Sequence, residues 1–153
     1  ISGAGDLSGV VLRYGDADGE LDVLATVNAP QSLRIHDGRL YWLDKGGPGL
    51  SGSLSGRSID TDGGTPQTHT SLEAFGIALA VDDTDAYFTT LDAGVARVHR
   101  VSLLTGEREV VLEDGEGPIL HVALTPSTAS VTGVRGPDDA HPNDGAIPRV
   151  CRA

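Results

Sequence analysis

The sequence predicts an all-β chain that repeats one small antiparallel sheet. Turn-forming residues are abundant: 21 of the 153 residues are glycine, and Asp, which favours turns, outnumbers Glu, which favours helices, by 16 to 6. No segment keeps the 3.6-residue apolar period of a helix over the length of a helix. Two sequence elements also recur at intervals of about 44 residues, and each has the pattern of paired strands.

The first repeated element is a short apolar strand, a polar turn of about four residues and a second strand. It occurs at residues 33–44, 79–90 and 122–132. Tyr41, Tyr87 and Ser130 hold equivalent positions in it, at spacings of 46 and 43 residues. A polar turn between two such runs is typical of a β-hairpin, so three hairpins are predicted.

The second repeated element is an arginine followed six residues later by a glycine. It occurs at Arg13–Gly19, Arg57–Gly63 and Arg100–Gly106. Glycine adopts a positive φ without steric cost, so each glycine predicts a tight turn between two strands. The strands after these turns are predicted at residues 21–25, 66–70 and 109–112. The equal spacing predicts that the three arginines are equivalent.

Four short strands in each repeat of about 40–45 residues are typical of a β-propeller blade. We letter the strands of a blade A to D from the inside outward, and the chain then begins at strand C. The predicted division of this single domain is blade 1 (strands C and D) at 1–30, blade 2 at 31–71, blade 3 at 72–116 and a partial blade 4 at 117–153, with its strand C at 146–152. The two complete and two partial blades amount to about three, and a ring takes roughly four or more, so the sequence predicts a partial propeller.

The repeats resemble those of a known family. LAVDDTDAYFTT at 79–90 and YWLD at 41–44 are similar to the YWTD repeats of lipoprotein-receptor-type six-bladed propellers, and to the LAVD…YWT repeats of bacterial propellers. The resemblance covers about residues 10–134. It departs from the family pattern at Ile35-His36 in place of Val-Asp, Thr90 in place of Asp, and Ser130-Val131 in place of the aromatic pair.

This resemblance implies that the chain is part of a six-bladed disc, completed by the remaining blades or by a second copy of the chain. It implies that Tyr41-Trp42 and Tyr87-Phe88 pack between blades. It also implies a non-catalytic scaffold that binds protein or a small-molecule ligand through its loops, in an extracytoplasmic or cell-surface location. A degenerate remnant of a propeller without independent activity is a further alternative.

The composition narrows the range of partners. The formal charge is −11, and the Lys and Arg residues, 11 in all, are scattered among 22 acids. Nucleic acid needs clustered cations and is therefore not predicted as a partner. The longest apolar run is residues 77–81, so no membrane insertion is predicted. The lone Cys151 excludes an intrachain disulfide. Because the chain starts at Ile1, lacks Met and favours Arg over Lys, we expect a processed form or fragment of a bacterial protein.

Two motifs resemble ligand loops but lack the required context. Gly47–Gly52 spells G-x-G-x-x-G, yet a strand-like segment follows where a dinucleotide site needs a helix, so no cofactor is predicted. Asp16–Gly19 and Asp60–Gly63 resemble part of a calcium loop, but the flanking ligand positions hold the wrong residues. Hairpin turns and no metal are predicted there, with a weak surface Ca²⁺ site as the alternative.

One group of residues, two histidines and an aspartate, has a catalytic interpretation. None of the five histidines has the spacing of a zinc site, and no serine has a histidine and an acid at a recognised spacing. His36, His121 and Asp82 lie on or beside A strands, which line the axial channel of a propeller. Similarity to streptogramin-lyase-type propellers, which place catalytic histidines near that axis, implies the alternative function. That alternative is a lyase- or lactonase-type enzyme whose site is completed by missing blades, whereas ordinary strand and loop histidines are the default.

Overall fold

The fold was analysed in a computed structural model, which describes residues 8–15, 19–45, 53–114, 117–125, 128–133 and 149–151. These residues form thirteen β-strands and no helix. They fall into two compact units, Ile1–Phe75 and Gly76–Ala153. The predicted all-β class is confirmed, and so are four-stranded antiparallel sheets. No described helix could span a membrane.

The first unit contains a two-stranded and a four-stranded sheet. The two-stranded sheet pairs β1 (Ser8–Tyr14) with β2 (Leu21–Asn28). The four-stranded sheet has the order β3 (Pro30–His36), β4 (Arg39–Lys45), β5 (Ser53–Asp60) and β6 (Gln67–Glu73). Each strand is antiparallel to the one before it, so the sheet is a meander. β1 and β2 correspond to the outer strands β5 and β6.

The second unit repeats the meander and adds a three-stranded sheet. Its four-stranded sheet has the order β7 (Phe75–Val81), β8 (Asp85–Asp92), β9 (Val95–Ser102) and β10 (Arg108–Asp114). The three-stranded sheet has the order β11 (Ile119–Leu124), β12 (Thr128–Gly133) and β13 (Arg149–Cys151). β13 lies within the segment predicted to form a third strand there and pairs with Thr128–Ser130.

Each unit has a core between two stacked sheets. In the first unit, β1 and β2 place three small buried side chains against three larger ones of the next sheet: Val11, Ala25 and Val27 against Leu40, Trp42 and Ile59. In the second unit, β11 and β12 cover the sheet before them: Ile119, Val122, Ala129 and Val131 pack on Ala78, Ala80, Tyr87, Ala96 and Val98. Alternating residues of a strand point to opposite faces, so one face of each strand forms this layer.

The glycine turns lie where the repeats predicted them. Gly19, Gly63 and Gly106 all have a positive φ, of 70°, 97° and 74°. The turn between β3 and β4 is shorter: Asp37 and Gly38 both have a positive φ, which is the signature of a two-residue type I′ turn. Asp tolerates the small positive φ of position 37, whereas most side chains with a Cβ are strained at the φ of Gly19, Gly63 and Gly106, so glycine is favoured at those three corners.

The predicted equivalence of Arg57 with Arg13 and Arg100 is wrong by one residue. Arg13 pairs with Asp22 and Arg100 with Glu109, whereas Ser58 pairs with Gln67. Each of these pairs is separated by nine residues, so Ser58 is the equivalent position. The turn after β5 reaches its first glycine one residue earlier and then adds Gly64, which hides the offset when residues are counted back from the glycine.

A β-bulge recurs at one position of the outer strand. The ladders β1–β2, β5–β6 and β9–β10 each shift register once, leaving one extra residue on the outer strand. The extra residues are Leu24, His69 and Val111. Each follows by two positions the residue that pairs with Arg13, Ser58 or Arg100, so the bulge is a feature of the repeat.

Candidate functional site

A charged depression lies at one end of the sheet β7–β10. It is formed where β8 begins, β9 ends and β10 begins, and its volume is about 390 Å³. Six polar or charged residues line it: Asp85, Arg100, Ser102, Glu107, Arg108 and Glu109. Loops at the ends of sheets commonly carry binding residues, because the strands hold them in place.

Two turns that adjoin this depression are hydrogen-bonded to each other. The Asp82 backbone N–H donates to the Asp85 carbonyl (3.0 Å), and the Asp82 Oδ1 accepts the backbone N–H groups of Thr84 and Asp85, both at 2.9 Å. The Leu103 N–H of the neighbouring turn then donates to the Thr84 carbonyl (2.9 Å). The side chains that face solvent here therefore stand on a fixed backbone.

The charges of the depression are partly compensated within it. Arg100 pairs with Glu109 at 2.6 Å, and the Thr84 hydroxyl donates to Asp85 Oδ2 at 2.8 Å. Two guanidinium groups face three carboxylates, which leaves an excess of negative charge. Tyr87 lies buried behind the pair, and burial raises the pKa of its phenol, with the Asp85 charge acting in the same direction.

The equivalent place in the sheet β3–β6 is occupied by a guanidinium of the chain itself. Arg39 begins β4 as Asp85 begins β8. Its Nη1 donates to Asp60 at 2.5 Å, and its Nη2 donates to Ser58 Oγ and Gln67 Oε1, both at 3.1 Å. A carboxylate, a hydroxyl and an amide oxygen therefore hold one cation at this corner of the sheet.

A buried histidine that the sequence did not single out lies deeper in the second unit. His99 joins Thr90 Oγ1 through Nε2 at 2.9 Å, and its ring stacks on Phe88 with centroids 4.9 Å apart. Burial, reinforced by Arg108 and Arg97, lowers the pKa of His99 to about 4. The imidazole is therefore neutral at pH 7, and its Nδ1 has no hydrogen-bond partner among the described residues.

A serine and a histidine that are distant in sequence meet in the first unit. Ser58 Oγ and His69 Nε2 are 2.7 Å apart, although their spacing did not predict a pair. Ser58 is completely buried and its oxygen also accepts a hydrogen bond from Arg39. Burial lowers the pKa of His69, and Arg39 lowers it further. A serine without exposed surface cannot meet a substrate, so we assign the pair to the packing of the sheet.

The contact of His99 with Phe88 could have been located by counting along the hairpin, whereas the contact of His69 with Ser58 could not. The ladder places His99 opposite Phe88 once β8 and β9 are aligned through their turn. His69 is the bulged residue of β6, however, and the bulge is what turns its side chain toward Ser58. Sequence spacing alone carries no signal for a bulge.

The three predicted channel residues lie in different settings. His36 ends β3 in the first unit and is half-buried, whereas His121 is exposed on β11 in the second unit. Asp82 follows β7 and closes the turn beside the charged depression. Thr125 makes the same backbone bond as Asp82, from its N–H to the Thr128 carbonyl at 2.8 Å, so Asp82 and Thr125 hold equivalent positions directly after β7 and β11.

The metal- and cofactor-like motifs lie partly inside and partly outside the described residues. Gly47–Gly52 and Asp16–Asp18 lie outside the described residues. In the second calcium-like motif, Asp60 pairs with Arg39, and Asp62 lies 3.7 Å from Arg13. Within the part of the chain that the structure describes, no cluster of three His, Cys, Asp or Glu side chains could hold a metal ion.

Similarity to known proteins is found in structure and not in sequence. No family of sequences and no curated protein matches the chain. A chain in the crystal structure of a nidogen/laminin complex matches 86% of this chain and 54% of its own length, with a TM-score of 0.63 and 12% identity. A Bacteroides fragilis protein provisionally described as a 6-phosphogluconolactonase matches 80% of this chain and 40% of its own, with a TM-score of 0.54 and 15% identity.

These similarities establish the fold. The chain spans about half the length, or less, of the structures it matches. Its four-stranded antiparallel sheets are those of a β-propeller, and the predicted propeller class is confirmed at that level. At such low identity, the YWTD resemblance stays a prediction.

Proposed function

We propose that this chain is a non-catalytic propeller module that binds a positively charged partner, a basic protein segment or a small cationic molecule. The charged depression on β8–β10 is the contact site. The observation that supports this function is the excess of carboxylates there, from Asp85, Glu107 and Glu109, on a backbone held by two linked turns.

The corner of the other complete sheet indicates the chemical class of the ligand. There, Asp60, Ser58 and Gln67 bind the guanidinium of Arg39. A guanidinium donates in a planar fork, which suits a set of oxygens at the end of a sheet. The net charge of −11 also favours the approach of cationic partners by long-range attraction.

The same polar groups are poorly suited to proton transfer. Arg100 and Glu109 are already paired, and Asp82 accepts two backbone N–H groups within its own turn. A general acid or base needs a free polar atom within hydrogen-bond reach of the substrate. Charge recognition makes no such demand, because paired groups still present a field to a ligand.

A titration with two amino acids that are capped at both ends tests the proposal. N-acetyl-arginine amide is added to the ¹⁵N-labelled chain, and N-acetyl-glutamine amide serves as the uncharged probe. We expect amide shifts confined to residues 84–85 and 100–109 with the arginine probe alone. Glu107→Gln should weaken binding several-fold. The matched control is Glu20→Gln, because the Glu20 carbonyl accepts from Gly15 as the Glu107 carbonyl accepts from Ser102. Equal shifts with both probes, or equal weakening by both variants, would contradict the proposal.

The second candidate function is a lyase- or lactonase-type enzyme that uses His36, Asp82 and His121. Its support is that His36 ends β3 and Asp82 directly follows β7, which are the first strands of the two complete sheets. The test is hydrolysis of glucono-δ-lactone by the chain and by His36→Gln, His121→Gln and Asp82→Asn. Asparagine keeps the oxygen that closes the turn, so a lost rate would report on the carboxylate. No hydrolysis above the buffer rate, or a rate that the three variants leave unchanged, would exclude lactonase activity of this chain through these residues.

A further inference from the structure

Three buried side-chain nitrogens have no hydrogen-bond partner among the described residues: Trp42 Nε1, Arg57 Nε and His99 Nδ1. Trp42 lies directly opposite Arg57 in the ladder β4–β5. Arg57 and His99 hold equivalent positions, because each directly precedes Ser58 or Arg100 in its strand. All three nitrogens therefore belong to one cross-strand position of the repeat. Buried polar groups are hydrogen-bonded in the great majority of cases, so this position requires an explanation.

In the first unit, the two N–H donors belong to a single contact. The Arg57 guanidinium lies over the Trp42 ring, with its Cζ atom 5.7 Å from the ring centroid. The Nε atom is bonded to that Cζ, and Nε1 is part of the ring. The Asp44 carboxylate completes the contact, because Oδ2 accepts from Arg57 Nη1 at 3.0 Å and Oδ1 accepts from the Asn28 N–H at 2.7 Å. Each carboxylate oxygen has a second lone pair that can accept another hydrogen bond.

The two donors and the acceptor at this contact match one small neutral molecule. A water molecule can accept two hydrogen bonds and donate two, and buried waters typically make about three. An anion could also accept from both N–H groups, but Asp44 already compensates the charge of Arg57. A further negative charge in the core would be unpaired and costly. A neutral molecule that both accepts and donates is therefore favoured.

We propose that one water molecule is bound in the core of the first unit. It accepts from Trp42 Nε1 and Arg57 Nε and donates to the Asp44 carboxylate. Trp42 is completely buried, whereas the Arg57 side chain is 25% exposed, so the water exchanges with solvent along Arg57. Because Asp44 also accepts from Asn28 at the end of β2, the water extends a hydrogen-bonded link between the two sheets of this unit.

The described part of the second unit offers fewer groups at the equivalent position. Phe88 stands in place of Trp42 and has no N–H, and Thr90 stands in place of Asp44 as the hydrogen-bond partner across the strands. His99 is left with one unpartnered nitrogen, Nδ1. A buried water needs two or more polar partners, so the proposal is confined to the first unit.

The indole proton of Trp42 reports on this site directly, because the chain contains one tryptophan. ¹⁵N-resolved NOESY and ROESY spectra of the labelled chain should show a cross-peak between Trp42 Nε1–H and water. The NOE and ROE cross-peaks should have opposite signs, as expected of a water molecule that tumbles with the protein. Their intensity should not grow with pH, because exchange of guanidinium protons is base-catalysed and a direct contact with water is not.

A pair of matched variants tests which groups hold the water. Arg57→Lys removes the Nε donor and keeps a cation beside Asp44, so the cross-peak should be lost. The matched control is Arg97→Lys, because Arg97 Nε donates to the exposed carboxylate of Glu113, and this change should leave the cross-peak as it is. Circular dichroism checks that both variants fold.

Three results would overturn the proposal. The first is a parent chain without the cross-peak, which would mean that the indole N–H is unpaired in the core. The second is a cross-peak that a folded Arg57→Lys variant retains. The third is a shift of the Trp42 Nε1–H resonance on titration of the parent chain with sodium chloride and not with sodium sulfate, which would identify a halide at the site. The first and third results need no variant, so they decide the proposal even where Arg57→Lys does not fold.

Discussion

The two complete sheets fill one buried position with opposite chemistry. In β3–β6, Asp44 binds the Arg57 guanidinium at 3.0 Å and the Asn28 N–H at 2.7 Å, with Arg57 lying over the Trp42 ring. In β7–β10, the equivalent residues are Thr90, His99 and Phe88, which form a neutral hydrogen bond and an aromatic stack. The three equivalent residues therefore contact one another in both sheets, although their charges differ.

The stability of the two sheets should therefore depend on their buried polar groups to different degrees. A buried ion pair adds little net stability against an apolar alternative, but removal of one partner leaves a charge without compensation. A neutral pair leaves only an unmade hydrogen bond. The first sheet should therefore be more sensitive to mutation, and the second more sensitive to acid.

The largest expected effect is from Asp44→Ala. The change leaves the Asn28 N–H and the quarter-exposed Arg57 guanidinium without their acceptor, and the cost should be about 3 kcal/mol of unfolding free energy, at the low end for a buried pair. Chemical denaturation with urea at pH 7 measures it. Thr90→Ala, the same truncation at the equivalent position, should cost about 1 kcal/mol. Similar costs for both variants would contradict the contrast between the sheets.

Acid should destabilise the chain through His99. Its folded pKa of about 4 lies below the ordinary value of 6.5, so the unfolded state binds the proton more readily. The stabilising contribution is complete above pH 6.5 and is lost as the pH falls towards 4, by roughly 3 kcal/mol in total. Urea midpoints measured between pH 7 and pH 4 should fall less steeply in His99→Gln. His121→Gln, on the exposed β11 position, should keep the parent slope.

Transfer of the ion pair from the first sheet to the second tests whether the two sites differ only in their side chains. Thr90→Asp and His99→Arg are made singly and together, which installs the Asp44–Arg57 pair at the equivalent place. Each single change buries an unpaired charge, so the double variant should be more stable than the sum of the singles by about 1–3 kcal/mol. A double-mutant cycle from urea denaturation gives this coupling. Additive effects would show that the two positions differ in more than side-chain identity.

The smallest effect is expected at the exposed equivalents Arg13–Asp22 and Arg100–Glu109. Both ion pairs are 2.6 Å long, and their carboxylates are about half exposed. Surface pairs of this kind contribute about 0.2–1 kcal/mol, which salt screens further. Asp22→Asn and Glu109→Gln should therefore shift thermal midpoints by similar small amounts that shrink at high salt. A larger loss at only one of the two would mean that they are not equivalent.

The sequence predicted the parts of the fold that depend on local chemistry. Glycine corners and polar turns recur because they require particular residues, so Gly19, Gly63 and Gly106 and the strands around them could be located. The pairing register could not be fully predicted, because counting back from Gly63 placed Arg57 where the ladder places Ser58. The extra residue of the turn is visible only when both strands are paired.

The candidate site could be predicted less well than the fold. Asp82 was identified through its place at the end of a strand, and it borders the charged depression. The residues of the depression itself come from three strands, and their approach depends on tertiary register. His69 and His99 were missed for the same reason. Each forms a hydrogen bond with a residue of the neighbouring strand, and the sequence of one strand does not show which residue that will be.

The recurrent bulge affects how these molecules can associate. Leu24, His69 and Val111 each add a residue to the outermost strand, which increases its twist and interrupts its row of backbone donors and acceptors. A strongly twisted and irregular edge strand is a poor template for pairing with a strand of another molecule. Edge-to-edge association into fibres is therefore disfavoured at β2, β6 and β10. The repeated bulge thus adds a backbone irregularity to the protection that charged residues such as Glu109 and Glu113 already give the outermost strand β10.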